Sequence, residues 1–349
     1  MARKRKPLPG FDDLPPDALI HLTDTQPGFT RKGAGKGFYY LDAEGRKVDD
    51  PADLARINAL ALPPAYRNVW IAPVAHGHLQ ATGRDARDRK QYRYHPVWQT
   101  HRNHGKFDRL EAFGDLLPRL RRRLVRDIDR DDFSREMMLA TVIRLMDLTG
   151  MRVGNRGYTR ENESYGVTTL QQRHLELQGN AIQFEFDAKG GRHSTVALAS
   201  QKLAQVLARC DELPGQALFQ YRAGDERTGF TRVDSQHVND YLKQICDADW
   251  VSAKLLRTWR GSVYAFEHLA DSMPDDSASA VTRQIVAMVK ATARHLRNRP
   301  ATCRKYYIHP AIIDAFEAGA WPPPETPDDK PRELLQAEAR FLHFLHRRP

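Results

Sequence analysis

The sequence predicts an α+β protein with a small β-rich N-terminal domain, residues 1–97, and a larger, mainly helical C-terminal domain, residues 107–349. Up to about residue 97, short apolar segments alternate with turn residues. From about residue 98, most apolar residues recur at helical spacing, apart from one small antiparallel sheet. A linker, residues 98–106, is expected between the two domains.

The N-terminal domain is predicted from its strands. Residues 37–48 alternate around a Glu-Gly turn, and residues 68–73 form a short apolar strand. Residues 78–96 are expected to form a hairpin with a charged tip. On its returning arm Tyr92 and Tyr94 alternate with polar residues, so the two tyrosines should share one face.

The C-terminal domain combines capped helices with a meander of three strands. Ser134 and Gly150 are start and stop signals for a helix over residues 134–150. Turn residues separate the next three apolar segments, so Lys189 is expected at a hairpin tip. Further helices are predicted at 200–212, 236–247, 253–269 and 281–297. A final helix, about 332–346, should pack on the domain although Glu338 interrupts its apolar stripe, which includes Leu334 and Leu335.

The charge of the chain predicts a polyanionic partner. The formal net charge is +10 and the isoelectric point is near 9.5, values typical of proteins that bind nucleic acid. The segment from Ala81 to Leu110 contains eight Arg or Lys residues and only three Asp residues. No apolar segment is long enough to span a bilayer and no secretory signal follows the basic N-terminus, so a cytoplasmic location is expected.

Several kinds of site are not predicted. The three cysteines are far apart, which argues against a disulfide framework and a thiolate metal site. The histidine pairs lack acidic or cysteine partners at metal-ligand spacing. Residues 33–37, GAGKG, lack the Ser/Thr and the preceding strand of an ATP-binding loop, so a flexible loop is expected there.

The segment RPATCRKYYIHP contains two adjacent phenols, Tyr306 and Tyr307, either of which could be a nucleophile. A phenol has a pKa near 10 and needs cationic neighbours to attack a phosphodiester. Such an attack also needs arginines for the charge of the transition state and an acid for the leaving oxygen. Consecutive helical residues point about 100° apart, so the two phenols cannot share one role, and periodicity alone does not choose between them.

The order of four motifs resembles the type IB DNA topoisomerases in their compact, poxvirus-like bacterial form. These motifs are LTGMRVGN with Arg152, FDAKGGRH with Lys189, KLLRTWRGSV with Arg257, and NRPATCRKYYIHP with Tyr307. The resemblance extends over most of the chain and includes LPPAYRNVWIAP and ATGRDARDRKQYRYHP in the N-terminal part. It implies a two-lobed clamp around duplex DNA, with the catalytic residues in the C-terminal lobe.

The resemblance also implies a role for each matching residue. Arg152 and Arg257 would clamp the scissile phosphate, and Lys189 would protonate the 5′ leaving oxygen. Tyr307, directly before Ile-His-Pro, would be the nucleophile, and Tyr306 a packing or DNA-backbone residue. Asn298 stands where poxvirus enzymes carry a histidine, so it would donate a hydrogen bond without a charge. The implied DNA contacts are Arg89, Gln91, Tyr92, Tyr94, Tyr158 and Lys254.

The implied activity is relaxation of positive and negative supercoils by a monomer acting on duplex DNA near the nucleoid, without ATP, metal or another cofactor. Two alternatives remain open: a tyrosine recombinase, which uses the same chemistry, and a non-catalytic DNA-binding protein. Lys254 favours the topoisomerases, because tyrosine recombinases commonly carry histidine there. Taken singly, Arg152 could cap a helix, Arg257 could form an ion pair and Lys189 could be a solvated turn residue.

Overall fold

The computed structural model describes residues 18–35, 37–86, 88–157, 159, 163–223, 229–321 and 325–347, without the side chains of residues 99–106. The chain divides into two compact units, residues 1–106 and 107–349. The segment predicted as a linker, residues 98–106, is helical and belongs to the long helix α2, Pro96–Ile128.

The described residues of the N-terminal unit form an antiparallel five-stranded sheet of order β2-β1-β3-β4-β5, the helix α1, Pro51–Ala59, and the first part of α2. Asp50 caps α1 by accepting main-chain N–H bonds from Ala52 and Asp53. Ile57 of α1 packs on the apolar face of the sheet. The strands are β1 Phe29–Ala34, β2 Gly37–Leu41, β3 Arg67–Ile71, β4 Leu79–Arg84 and β5 Lys90–Tyr94.

Two expectations for this unit are corrected. The first half of residues 37–48 is a strand, but β2 pairs along its length with β1, and Leu41 meets Lys47 only in an isolated bridge. Gly33 and Ala34 belong to β1 and Gly37 to β2, with Ala34 paired to Gly37, in place of the flexible loop expected over residues 33–37. The hairpin over residues 78–96 is confirmed as β4–β5, with Thr82 opposite Tyr92.

The C-terminal unit is mainly helical, and the predicted meander is confirmed as the sheet β6-β7-β8. Helix α3 begins after Ser134, whose Oγ accepts from the Met137 N–H, and ends at Gly150 in the left-handed region. The range of α3 is Arg135–Thr149, and the helices that follow it are α4 Gln201–Asp211, α5 Ser235–Cys246, α6 Ala253–Ala270, α7 Ala278–His295, α8 Pro300–Tyr306, α9 Pro310–Glu317 and α10 Gln336–His346. The strands are β6 Leu175–Gln178, β7 Ala181–Ala188, β8 Arg192–Ala199, β9 Gln220–Arg222 and β10 Phe230–Arg232.

The final helix packs on its unit, as predicted, but its charged residue is a core contact. Glu338 of α10 is buried and receives hydrogen bonds from both terminal nitrogens of Arg121, at 2.6 and 2.7 Å. The Trp259 indole donates to the same carboxylate, and Arg121 also pairs with Asp147. The predicted stripe is wrong at Leu335, which is 66% exposed. Within the described part of the chain, no helix has the length and apolar composition needed to cross a bilayer.

Candidate active site

Tyr307 lies at the end of α8, and its main chain is fixed on α6. Its N–H donates to the Cys303 carbonyl at 2.9 Å, and its φ and ψ of −135° and −6° end the helix. The Ser262 hydroxyl donates to the Tyr307 carbonyl at 3.2 Å and accepts the His309 N–H at 3.0 Å. A Cβ at position 261 would lie 2.7 Å from that carbonyl, so Gly261 permits the close approach.

Arg257 places its guanidinium against the Tyr307 ring. It lies on α6, is only 5% exposed, and its guanidinium carbon is 5.3 Å from the ring centroid. Its terminal nitrogens donate to the carbonyls of Gly150 and Leu296. Arg257 therefore ties the end of α3 to the end of α7, and its charge lies beside the phenol.

Arg152 lies two residues after Gly150, the C-cap of α3, and lines a cavity with Arg257. Ala188 and Ser194 from the β7–β8 hairpin, together with Leu296, contribute to the same cavity. The Arg152 carbonyl accepts the Val167 N–H at 2.9 Å, which holds this irregular segment in place. The structure thus brings Arg152, Arg257 and Tyr307 together, although they are far apart in sequence.

The two arginines create a positive site that has no counter-ion among the described residues. Burial and the neighbouring charge of Arg152 lower the pKa of Arg257 to about 10, and Tyr307 partly opposes this shift. Burial is also the largest cause that lowers the pKa of Arg152. Among the described residues, no carboxylate forms an ion pair with either arginine. Because buried charges are costly unless paired, this arrangement favours binding of an anion.

Asn298 lies two residues after Leu296. Most of its hydrogen-bonding groups have partners within the protein. Its N–H donates to the Ala293 carbonyl at 2.8 Å, and its Oδ1 accepts the Arg299 N–H at 2.9 Å. Its Nδ2 is buried and has no partner among the described residues, and the same is true of Arg257 Nε. Two unsatisfied buried donors indicate that an acceptor from outside the described chain completes the site.

Lys189 lies at the tip of the β7–β8 hairpin, as predicted. It is exposed and follows Ala188, which is buried and lines the cavity. Gly190 and Gly191 complete the turn with φ values of 89° and 69°, a region that favours glycine. The hairpin therefore extends from the wall of the arginine site to the exposed lysine.

The adjacent tyrosines have different surroundings. The Tyr306 ring faces Lys305 Nζ at 5.4 Å and Lys254 Nζ at 5.9 Å, both measured to the ring centroid. Tyr307 instead faces Arg257. Lysines thus surround one phenol and a buried arginine contacts the other, which is consistent with separate roles.

The two histidines near the site, His295 and His309, make contacts within the protein. His309 Nδ1 accepts the Ala311 N–H at 3.1 Å and caps α9. His295 stacks on Tyr264 with a centroid distance of 4.1 Å. Burial and the charges of Arg260, Arg297 and Arg257 lower the pKa of His295 to about 4, so it is neutral at pH 7.

The predicted DNA contacts of the N-terminal hairpin divide into two groups. Arg89 and Gln91 share one Asp85 carboxylate oxygen, at 2.8 and 3.0 Å. Tyr92 and Tyr94 stack with ring centroids 6.0 Å apart, and Tyr92 is 47% exposed. Because side chains alternate along a strand, Gln91 lies on the opposite face of β5 from the tyrosines. Tyr158, the remaining predicted contact, lies outside the described residues.

Comparison with known proteins identifies the family of the chain. Residues 95–318 match the model of the eukaryotic DNA topoisomerase I catalytic core, and residues 37–85 match the bacterial DNA topoisomerase IB N-terminal domain. The chain belongs to the type IB DNA topoisomerases. DNA topoisomerase 1B of Acanthamoeba polyphaga mimivirus is 27% identical over 295 residues, covering 83% of this chain and 88% of the relative. DNA topoisomerase 1B of vaccinia virus (strain Copenhagen) is 22% identical over 254 residues, covering 71% and 75%.

The family matches cover the catalytic candidates of this type IB enzyme more fully than its DNA contacts. All five catalytic candidates lie within residues 95–318, whereas Arg89, Gln91, Tyr92 and Tyr94 fall between the two matched segments. Sequence reasoning missed Gly261 and Ser262, which position the Tyr307 main chain. Their only signal was a Gly-Ser pair one helical turn after Arg257 in KLLRTWRGSV.

Proposed function

We propose that this enzyme relaxes positively and negatively supercoiled duplex DNA through a transient covalent bond between Tyr307 and a 3′-phosphate. The observation that carries the proposal is the contact of Tyr307 with the buried guanidinium of Arg257, beside Arg152 and two unsatisfied donors. A phosphodiester would supply the missing negative charge and acceptor atoms. Membership of the type IB family and the excess of basic residues further support DNA as the substrate.

Cleavage is proposed as a direct displacement at phosphorus. The Tyr307 oxygen attacks phosphorus and forms a bond to it, while the proton of the phenol passes to water. Arg152, Arg257 and the Asn298 amide stabilise the charge that accumulates on the non-bridging oxygens. The bond from phosphorus to the 5′ oxygen breaks, and Lys189 supplies the proton that this oxygen needs to leave as a hydroxyl.

Relaxation follows because the cut strand has a free 5′-hydroxyl end. That end rotates about the intact strand until the 5′-hydroxyl attacks the phosphotyrosine and restores the original bond. One phosphodiester is exchanged for another, so bond energy is conserved and ATP is not needed. The arginines supply the charge that stabilises the transition state, so activity is expected in EDTA. One monomer holds all the proposed catalytic groups.

The proposal is tested by relaxation of supercoiled plasmid in EDTA without ATP, followed by detergent trapping and mapping of the DNA-linked peptide. Relaxation through ladders of topoisomers and attachment at Tyr307 are expected. Tyr307→Phe should abolish both the adduct and relaxation. The matched control Tyr306→Phe should retain both, because that phenol faces lysines. Attachment at Tyr306, or relaxation by Tyr307→Phe, contradicts the proposal.

A further inference from the structure

Two arginine side chains join the β7–β8 hairpin to the segment that carries Asn298. Arg192 Nη1 donates to the Asn298 carbonyl at 3.3 Å, and Arg297 Nε donates to the Thr195 carbonyl at 3.2 Å. The bonds run in opposite directions, one from the hairpin to the segment and one back. They connect elements that are more than 100 residues apart in the chain.

Arg192 occupies the position that closes the turn carrying Lys189. It is the first residue of β8 and pairs with Ala188, the last residue of β7. Between them lie Lys189 and two glycines, and a Cβ on either glycine would meet nothing within 4 Å. Packing of the two glycines therefore restrains this turn little, and the contacts of its closing pair contribute to the position of the lysine.

The position of Arg192 also relates it to the arginine site. Its charge is one of the causes that lower the pKa of Arg152, after burial and the opposing effects of Tyr307 and Cys303. Arg192 donates to the main-chain carbonyl of Asn298. The side-chain Nδ2 of the same asparagine is a buried donor with no partner among the described residues. Arg192 therefore lies between the hairpin lysine and the groups assigned to the phosphate.

We propose that Arg192 is a positioning residue that holds the Lys189 turn at the Asn298 segment, so that the general acid and the phosphate site are aligned before cleavage. This inference rests on the proposed function, because it assigns Arg192 to proton transfer through Lys189. The experiment must distinguish this positioning role from two others: a direct contact of Arg192 with the scissile phosphate, and a purely structural role.

The test compares single-turnover cleavage of two DNA substrates by the full-length enzyme. One substrate is ordinary DNA, and the other has sulfur in place of the bridging 5′ oxygen. In the second, the Tyr307 oxygen bonds to phosphorus, the phosphorus–sulfur bond breaks and a thiolate leaves without a proton. A defect in proton donation should therefore disappear with the sulfur substrate, whereas a defect in phosphate stabilisation should persist.

Arg192→Ala is expected to cleave ordinary DNA roughly 10- to 100-fold more slowly than the unmodified enzyme, because misplacing a catalytic group can cost about 100-fold. With the sulfur substrate its rate should return to within about threefold of the unmodified enzyme. Lys189→Ala should show a larger defect on ordinary DNA and the same rescue. Arg152→Ala should be slow on both substrates.

Controls separate positioning from charge and folding. Arg283→Ala removes an exposed arginine of α7 that contacts only Ser279 among the hydrogen bonds of the described residues, and it should cleave both substrates normally. Arg192→Lys retains the charge but not the planar fork, so it should show much of the Ala defect. Equal slowing on both substrates, normal cleavage of ordinary DNA by Arg192→Ala, or full activity of Arg192→Lys overturns the inference. Failure of the unmodified enzyme to cleave either substrate overturns the proposed function itself.

Discussion

The cations of the N-terminal hairpin and those of the arginine site differ in their partners. On the hairpin, Arg89 pairs with Asp85 at 2.7 Å, and Lys90 pairs with Asp24 at 2.5 Å. In the catalytic unit, Arg152 and Arg257 are more deeply buried, and no carboxylate of the described residues pairs with them. Carboxylates within the protein neutralise Arg89 and Lys90, whereas no carboxylate of the described residues neutralises Arg152 or Arg257.

This difference assigns the two regions to different tasks. A partly exposed ion pair contributes little to stability and can exchange its carboxylate for a DNA phosphate at small cost. A buried, unpaired guanidinium is costly in the free protein, and that cost is relieved only when an anion enters. The hairpin should therefore tune affinity, and the arginine site should govern the rate of strand cleavage.

The largest expected effect comes from Arg257. Arg257→Ala should slow single-turnover cleavage by about 10³-fold or more, since fixed donors on transferring phosphoryl groups contribute on this scale. DNA affinity should change far less than the rate. Arg257→Lys should recover little, because one ammonium cannot hold both the Gly150 and Leu296 carbonyls and contact a phosphate. If Arg257→Ala cleaved DNA within tenfold of the rate of the unmodified enzyme, the arginine site would not govern the cleavage rate and the proposed difference between the two regions would be wrong.

Asn298 should show a smaller effect of the same kind. Asn298→Ala removes one neutral donor and should slow cleavage about tenfold, consistent with a single hydrogen bond. Asn298→Asp should be slower still, because its carboxylate adds negative charge where the phosphate is expected. Single-turnover rates at saturating DNA test this order, and an Asp variant as fast as Ala would contradict it.

Substitutions on the hairpin should change affinity and leave the cleavage rate at saturating DNA unaltered. Arg89→Ala should weaken DNA binding several-fold and reduce the slope of log K against log salt by about 1. Asp85→Asn, which removes the negative charge that pairs with Arg89, should tighten binding and increase that slope. Equilibrium titrations across a salt series measure both effects. A loss of maximal cleavage rate in either variant contradicts the division of tasks.

The smallest effect concerns the stability of the catalytic unit in acid. The pKa of His295 is lowered from 6.5 to about 4, so the unfolded chain binds more protons between these values. The contribution of His295 to stability is complete above pH 6.5 and is lost as the pH falls toward 4. His295→Phe retains an aromatic ring against Tyr264 and should show a smaller loss of unfolding free energy over this interval. Denaturant unfolding at pH 7, 5.5 and 4.5 tests this, and an unchanged slope contradicts it.

Local signals predicted much of this architecture. Ser134 and Gly150 marked the ends of α3, and turn residues marked the β6–β8 meander with Lys189 at its tip. The strand β1, FTRKGA, was missed because its residues show no apolar alternation. The linker was predicted where polar, basic residues interrupt the apolar spacing, although α2 continues through them.

The assembly of the site could be predicted only through the family resemblance. Contacts such as Arg257 with Gly150, or Arg192 with Asn298, join residues more than 100 positions apart. No periodicity or cap signal reports such pairs. For the same reason Glu338 was interpreted as a flaw in an apolar stripe, although its partner Arg121 makes it a buried contact.

The contact between Glu338 and Arg121 has a consequence for biosynthesis. Arg121, Asp147 and Trp259 are translated well before Glu338, so the growing chain presents a cationic pocket whose second carboxylate is still missing. Without Glu338, Arg121 shares the single carboxylate of Asp147 with Arg144, and the remaining buried positive charge opposes closure of the surrounding helices. The packing around Arg121 is therefore expected to be complete only once α10 has been synthesised and has docked.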